Sequence, residues 1–363
     1  MNFSNHKKSN LVLHKICKTY GSFFVLNDLT VTIPQGSFTC FLGPSGSGKT
    51  TLLRIIAGLD HPTKGQIFWH DQDISPLSVQ ERNFGIVFQN YALFPNLTVE
   101  QNIAFGLQNL HTPKSKIAED IDFFCDAMHL QMHRHKYPWQ LSAGQQQRVA
   151  LARSLALKPD ILLLDEPLSA LDNQIRIALQ KIIIEFHYQF NLTTIFVTHD
   201  QEEAFLLADQ IIVLHEGEIK QIGTPKEIYG EPNSLFMAKF IGLTNILPAQ
   251  ITSQHSLLIG SLSFEHDDAS NYKIGEQVHL SIRPEHIKLV KNPTNNLTHM
   301  PIYGSIKHIN FMGPFYRIHF HLEQIPHIEI IVDLSTQHYD EFHLNVTDKI
   351  WLELPKKFIK IYQ

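Results

Sequence analysis

Short apolar runs alternate with stretches of helical periodicity over the first two thirds of the chain. Phe38-Thr39-Cys40-Phe41-Leu42, Ile161-Leu162-Leu163-Leu164 and Thr194-Ile195-Phe196-Val197 are nearly unbroken runs. A strand covered by helices on both faces has no solvent side to reserve for polar residues, so it reads as such a run. Between the second and third runs, Ile175, Leu179, Ile182 and Phe186 recur at helical spacing and make one apolar stripe. The alternation predicts an α/β domain with a largely parallel sheet.

The pattern changes after about Gly242. Val278, Leu280 and Ile282 alternate with polar residues, as do Tyr316, Ile318, Phe320 and Leu322, and then Ile350, Leu352 and Leu354. A period of two over several short segments predicts an antiparallel β domain, barrel-like or sandwich. The expected division is therefore 1–242 and 243–363.

Length and charge narrow the classes. A chain of 363 residues is too long for one core. A net charge of -5 gives no electrostatic case for nucleic acid as the main partner. Cys17, Cys40 and Cys125 have no metal-ligand spacing and read as reduced thiols. The first ten residues carry no apolar stretch behind their lysines, so no signal peptide is expected there. No run of about 18 apolar residues occurs, so any membrane role is expected to come through a partner.

Candidate chemistry begins at Gly43-Pro44-Ser45-Gly46-Ser47-Gly48-Lys49-Thr50, which fits G-x-x-x-x-G-K-[ST] between an expected strand and an expected helix that runs on from Thr51. Glycines let the backbone curl so that successive N–H groups point inward, toward phosphate at a helix N-terminus. Lys49 is placed to reach the β- and γ-phosphates and the Thr50 hydroxyl to ligate Mg²⁺. Asp165 and Glu166 end the apolar run Ile161–Leu164. Unpaired carboxylates are costly to bury, so a pair at a buried strand end implies work for both. Asp165 suits the Mg²⁺ shell, and Glu166, one step further, is placed to act on an attacking water.

With these residues in place the chain resembles the ATP-binding cassette family, whose motifs it carries in the family's order. Leu141-Ser142-Ala143-Gly144-Gln145 resembles the signature segment, with alanine where the common form has glycine. The resemblance implies that Ser142, Gly144 and Gln145 bind ATP held by an opposite subunit, in a head-to-tail homodimer. Gln89 resembles the glutamine that senses Mg²⁺ and the attacking water. Ser169-Ala170-Leu171-Asp172 resembles the loop that crosses to the dimer partner. His199 resembles the switch histidine that holds the γ-phosphate, and Tyr20 the aromatic that stacks on adenine. The implied nucleotide contacts also run from Gly43 through Thr51. The catalytic set implied is Glu166, His199 and Gln89; the metal set is Thr50, Gln89 and Asp165.

The same resemblance implies a RecA-like P-loop NTPase core with a helical subdomain at about 90–155, and a C-terminal OB-like TOBE domain, whose core motif Ser281-Ile282-Arg283-Pro284-Glu285 resembles. Tyr91, Leu93, Phe94 and Leu97 are expected to line a groove for a membrane subunit. The implied activity is ATP hydrolysis driving solute import, with ATP and Mg²⁺. The implied partners are two integral membrane permease subunits, a solute-binding protein indirectly, and no nucleic acid. The implied place is peripheral, on the cytoplasmic face of a bacterial inner membrane. Phe240–Ala249 resembles iron, polyamine or phosphonate importers more than sugar importers. DNA-associated cassette ATPases insert a long coiled coil between phosphate loop and signature, and the interval from Lys49 to Leu141 carries no sustained heptads. The cluster His133-Arg134-His135-Lys136 places cations between its histidines, which disfavours a metal site.

Overall fold

A computed structural model describes residues 10–293, 299–323, 325 and 328–363. Two compact units divide it, Met1–Ile228 and Tyr229–Gln363. The first opens with β1 (Leu11–Tyr20), β2 (Phe23–Ile33), β3 (Phe38–Leu42), α1 (Lys49–Ala57), β4 (Lys64–Trp69), β5 (Gln72–Asp73), α2 (Val79–Arg82) and β6 (Phe84–Val87). Three helices follow: α3 (Val99–Asn109), α4 (Lys114–Ala127) and α5 (Ala143–Ala156). Strands and helices then alternate through β7 (Ile161–Asp165), α6 (Asn173–Phe190), β8 (Thr193–Thr198), α7 (Gln201–Leu207), β9 (Gln210–His215) and β10 (Glu218–Gly223), and α8 (Pro225–Gly230) spans the division.

The three apolar runs become β3, β7 and β8, and every residue of each is buried. They form the middle of a six-stranded sheet of order β10-β9-β3-β8-β7-β6, parallel except where β10 pairs with β9. A second, antiparallel sheet of order β2-β1-β4-β5 lies in the same unit. One core joins them: Leu11, Leu13 and Ile16 of β1, Phe41 of β3, Leu163 of β7, and Leu52, Leu53, Ile55 and Ile56 of α1. Burial anchors α1 on its apolar side and leaves its N-terminus fixed at the end of β3.

Helices α3 to α5 occupy most of the interval expected to be helical. Their starts are written in the sequence. Thr98 and Ser142 are N-caps whose hydroxyls accept from the backbone three residues on, while Gln101 and Gln145 reach back to the cap N–H. Arg134 ties the region together by ion pairs to Glu100 and Asp122, and His135 also faces Glu100, so this basic cluster serves salt bridges.

The second unit carries α9 (Leu235–Phe240), β11 (Asn245–Ser253), β12 (Ser256–Ile259), β13 (Leu262–Glu265), β14 (Gln277–Ile282), β15 (Lys288–Val290), β16 (His299–Phe311), β17 (Phe315–Leu322), β18 (Glu329–Ser335), α10 (Thr336–Phe342), β19 (Lys349–Pro355) and β20 (Lys360–Tyr362). Two five-stranded antiparallel sheets result, of order β13-β12-β11-β14-β20 and β15-β19-β16-β17-β18. The alternating residues Val278, Leu280, Ile282, Ile318, Phe320, Leu322, Leu352 and Leu354 face one shared core. Asn245 links the two sheets: its amide donates to Ile331 O at 2.8 Å and accepts from Ile331 N at 2.7 Å.

The division falls upstream of Gly242 because of Arg283. Its buried guanidinium donates to the carbonyls of Tyr229, Ala238, Ile241 and Leu243, so the segment around α9 is bound to β14.

Candidate functional site

The parallel register collects chemistry at one edge of the sheet. Leu42 pairs with Thr198, Asp165 with Val197, and Val87 with Leu164. The residues just beyond these strand ends are Gly43, Glu166, His199 and Gln89. Crevices beyond the carboxyl ends of parallel strands are where α/β sheets bind ligands.

The turn from β3 into α1 is a glycine-rich loop that leads straight into the N-terminus of the helix. Gly48 has φ 98°, and a Cβ there would stand 2.6 Å from Leu26 Cδ2 and 2.8 Å from Val25 O, so only glycine fits. Lys49 is 5% exposed. Its ammonium donates to Gly43 O at 2.8 Å, Pro44 O at 2.9 Å and Ser47 Oγ at 3.4 Å. Burial pushes the Lys49 pKa down, against the pull of Glu166 and Asp165. Among the described residues, the hydrogen bonds of this buried ammonium all go to neutral groups of the loop, an arrangement that can exchange them for anionic oxygens.

Thr50 Oγ1 donates to Asp165 Oδ1 at 2.9 Å. Burial raises the Asp165 pKa; the Thr50 hydrogen bond opposes this, the Glu166 charge adds to it, and Lys49 opposes it. Glu166 has a left-handed backbone, φ 43°, and its N–H donates to Val197 O at 3.0 Å. A non-glycine residue in that region is held by its surroundings at an energetic cost. The result aims the carboxylate at the neighbouring strand end, where Glu166 Oε2 lies 3.2 Å from His199 Nδ1.

A bonded group that the sequence did not reveal braces the chain on either side of His199. Thr198 Oγ1 donates to Glu203 Oε2 at 2.6 Å and accepts from Asp200 N at 3.0 Å. Burial raises the Glu203 pKa, with the Thr198 bond opposing it. Arg176 reaches both sides: Nη1 lies 3.4 Å from Asp200 Oδ2, and Nη2 donates to Leu171 O at 3.3 Å. The available signal was Glu203, a carboxylate on the face of α7 that also buries Ala204 and Leu207.

Four expected site elements remain: the residues that open α5, Asp172, Tyr20 and Gln89. Ser142 and Gln145 cap α5, and Gln145 also contacts His133 Nε2 at 2.9 Å. Among the described residues, no hydrogen bond or ion pair joins Ser142, Gly144 or Gln145 to the Gly43–Thr50 loop. Gly144 is needed for packing, since a Cβ would stand 2.4 Å from Ile175 Cγ2. Ala143 begins the helix without positive φ, so its methyl is accommodated. Asp172 caps α6, its carboxylate accepting from Ile175 N at 3.1 Å. Tyr20, at the end of β1, is 53% exposed. Gln89 is also exposed, in the turn after β6.

A cavity of about 320 Å³ lies beside β6, lined among others by Ile86, Phe88, Phe94, Phe105 and Leu157. Of the four residues expected in a groove there, Phe94 lines it and Arg153 stacks over its ring at 5.5 Å. Tyr91, by contrast, is buried, and Leu93 and Leu97 are not among its lining.

Comparison with known proteins gives the family. Residues 26–169 match the family model described as ABC transporter, and residues 280–357 match the TOBE domain. The chain is 42% identical over 348 residues to an Fe(3+) ions import ATP-binding protein of Rhizobium meliloti, covering 93% of this chain and 87% of that protein. It is 50% identical over 249 residues to a sulfate/thiosulfate import ATP-binding protein of Agrobacterium fabrum, covering 68% and 72%. Among solved structures it resembles a dimeric ATP-binding cassette in a post-hydrolysis state bound to ADP and Pi, with TM-score 0.55 and 31% identity over 59% of this chain and 98% of that one.

Proposed function

The chain belongs to the ATP-binding cassette transporter family and is an ATPase of the importer type with a C-terminal TOBE domain, and from that premise we propose how its residues divide the work and what it helps to carry. The observation that carries the reading is the meeting, at one sheet edge, of Lys49, the Thr50–Asp165 pair and the Glu166–His199 pair.

In this reading Lys49 gives up the loop carbonyls for the β- and γ-phosphates of ATP, and the N–H groups of Gly46 to Thr51 cradle the same oxygens. Thr50 and Asp165 offer a hydroxyl and a carboxylate side by side, the hard oxygen donors that Mg²⁺ takes alongside substrate phosphates. When bound, Mg²⁺ would supply charge neutralisation on the phosphates, and Gln89 would serve the same shell. Glu166 accepts the proton of the attacking water, and His199 holds the γ-phosphate in line, its imidazole kept against Glu166 by the Thr198–Glu203 bond. Tyr20 stacks on the base.

The signature residues complete the site from a second copy. Ser142, Gly144 and Gln145 begin a 14-residue helix whose N-terminus suits phosphate, yet within one chain they are not bonded to the Lys49 loop. A head-to-tail homodimer brings each signature to the partner's nucleotide, with Asp172 near the crossing. ATP binding then favours the closed dimer and hydrolysis releases it. Membrane permease subunits convert that cycle into solute movement, with the ATPase peripheral on the cytoplasmic face of the membrane.

The solute proposed is iron(III), because the Fe(3+) import protein matches over 93% of this chain at 42% identity, whereas sulfate/thiosulfate import proteins match over 84% at 41% and over 68% at 50%. Uptake of radioactive iron and of radioactive sulfate by cells lacking this chain tests it. Loss of iron uptake alone supports the assignment, and loss of sulfate uptake alone overturns it.

A further inference from the structure

Tyr20 is exposed, but its phenol is not free to turn. Its hydroxyl donates a 2.5 Å hydrogen bond to Asp60 Oδ2, just past the end of α1. The other oxygen of that carboxylate accepts from Lys18 Nζ at 2.6 Å and from His61 N at 2.7 Å. Lys18 also donates to His61 O at 2.7 Å, and its ammonium stands over the Tyr20 ring, 4.8 Å from the centroid. Lys18 and Tyr20 lie two residues apart on β1, on one face of the strand, where register shifts on either side of Lys18 bend the pairing with β2.

This is more construction than a hairpin end requires. Lys18 is 8% exposed, and a buried ammonium is retained only where it is paired. Burial works against ionisation of Asp60, but the bonds from Lys18, Tyr20 and His61 hold its pKa below the ordinary value. The bond to Asp60 raises the Tyr20 pKa, so the phenol remains a donor through the neutral range. The consequence is a ring with its edge tied and one face covered by a cation.

We propose that Lys18 and Asp60 are positioning residues for the base of the nucleotide: Asp60 fixes the tilt of the Tyr20 ring, and Lys18 closes one face so that the purine stacks on the other. This rests on the reading of Tyr20 as the base-stacking residue. A planar platform whose rotamer is set before binding spares the nucleotide the cost of ordering it. The cation behind the ring and the base before it form a three-layer stack.

The test compares ATP with inorganic tripolyphosphate, which shares the phosphate contacts and has no base, as ligands of the full-length protein. Tyr20→Ala is expected to weaken ATP about tenfold, the scale of one base–aromatic stack, and to leave tripolyphosphate unchanged. Tyr20→Phe and Asp60→Ala are each expected to weaken ATP roughly two- to tenfold, the cost of freeing one ring, again with tripolyphosphate unchanged. The double variant Tyr20→Phe/Asp60→Ala is expected to be no worse than Asp60→Ala alone, since that change already removes the Tyr20 bond along with those to Lys18 and His61. Equal weakening of both ligands by Asp60→Ala, or full additivity in the double variant, would mean a merely structural ion pair and overturn the proposal. If Tyr20→Ala itself spares ATP, the base platform is misassigned; if it weakens ATP while Tyr20→Phe and Asp60→Ala do not, the platform stands and the clamp falls.

Discussion

His199 Nδ1 lies 3.2 Å from Glu166 Oε2, across the adjacent ends of β8 and β7. The two residues are a helix and a strand apart in sequence, and parallel pairing of Asp165 with Val197 makes them neighbours. A left-handed Glu166 backbone completes the approach. The arrangement sets a carboxylate against an imidazole, the pair proposed to accept the proton of the attacking water and to hold the γ-phosphate.

Asp165 is held partly against its own charge, which gives a prediction with a sign. Its folded pKa is raised, so its contribution to stability is present below the unfolded carboxylate pKa and lost as pH rises through the folded value. Asp165→Asn removes that liability while an amide oxygen still accepts from Thr50. Thermal denaturation should show the variant melting above the parent at neutral pH, the gap closing as pH falls below about 4. ATPase turnover should be lost in the same variant.

Gly144 answers to packing before it answers to nucleotide. A methyl at this position meets Ile175 Cγ2. Gly144→Ala is expected to cost about 1–3 kcal/mol in denaturant unfolding, and Ile175→Ala on the same chain should recover much of it. Recovery of stability without recovery of ATPase activity would separate the packing role from the phosphate role.

Arg176 joins Leu171 O to Asp200, and so connects the segment that leads into α6 with the loop that holds His199. Arg176→Met is expected to lower kcat about tenfold or more with little change in KM for ATP, because misplacement of a catalytic group costs rate before it costs binding. A variant with unchanged kcat would show the link to be structural alone.

Arg283 gathers four carbonyls of the second unit. Arg283→Met removes this shared donor and is expected to destabilise that unit by roughly 3–5 kcal/mol. Limited proteolysis should then cut within 229–243 in the variant and leave the same segment intact in the parent.

Much of the architecture was legible because it rests on burial. β3, β7 and β8 are buried on both faces and spell this out as nearly unbroken apolar runs, while β14, β17 and β19 spell the face turned to the second unit's core as alternation. The antiparallel sheet around β1 was not foreseen. Its pairing slips between Leu13 and Ile16 and again around Lys18, which breaks the period of two that would announce a strand. In the site, Lys49, Thr50, Asp165 and Glu166 could be read because local sequence dictates their turns. Arg176, Glu203, Asp60 and Lys18 could not, because each acts through a partner that only the fold brings near. The packing need at Gly144 was hidden for the same reason, since Ile175 sits on another helix.

The central claim is that two copies close on ATP and that Glu166 ends the closed state. The most direct measurement is the mass of Glu166→Gln in solution with and without Mg²⁺-ATP, by light scattering after size exclusion, alongside its ATPase rate. The account predicts intact ATP binding, turnover reduced at least about 10²-fold, and a dimer that persists with ATP and dissociates with ADP. A variant that binds ATP but stays monomeric, or one that hydrolyses it at the parent rate, would contradict it.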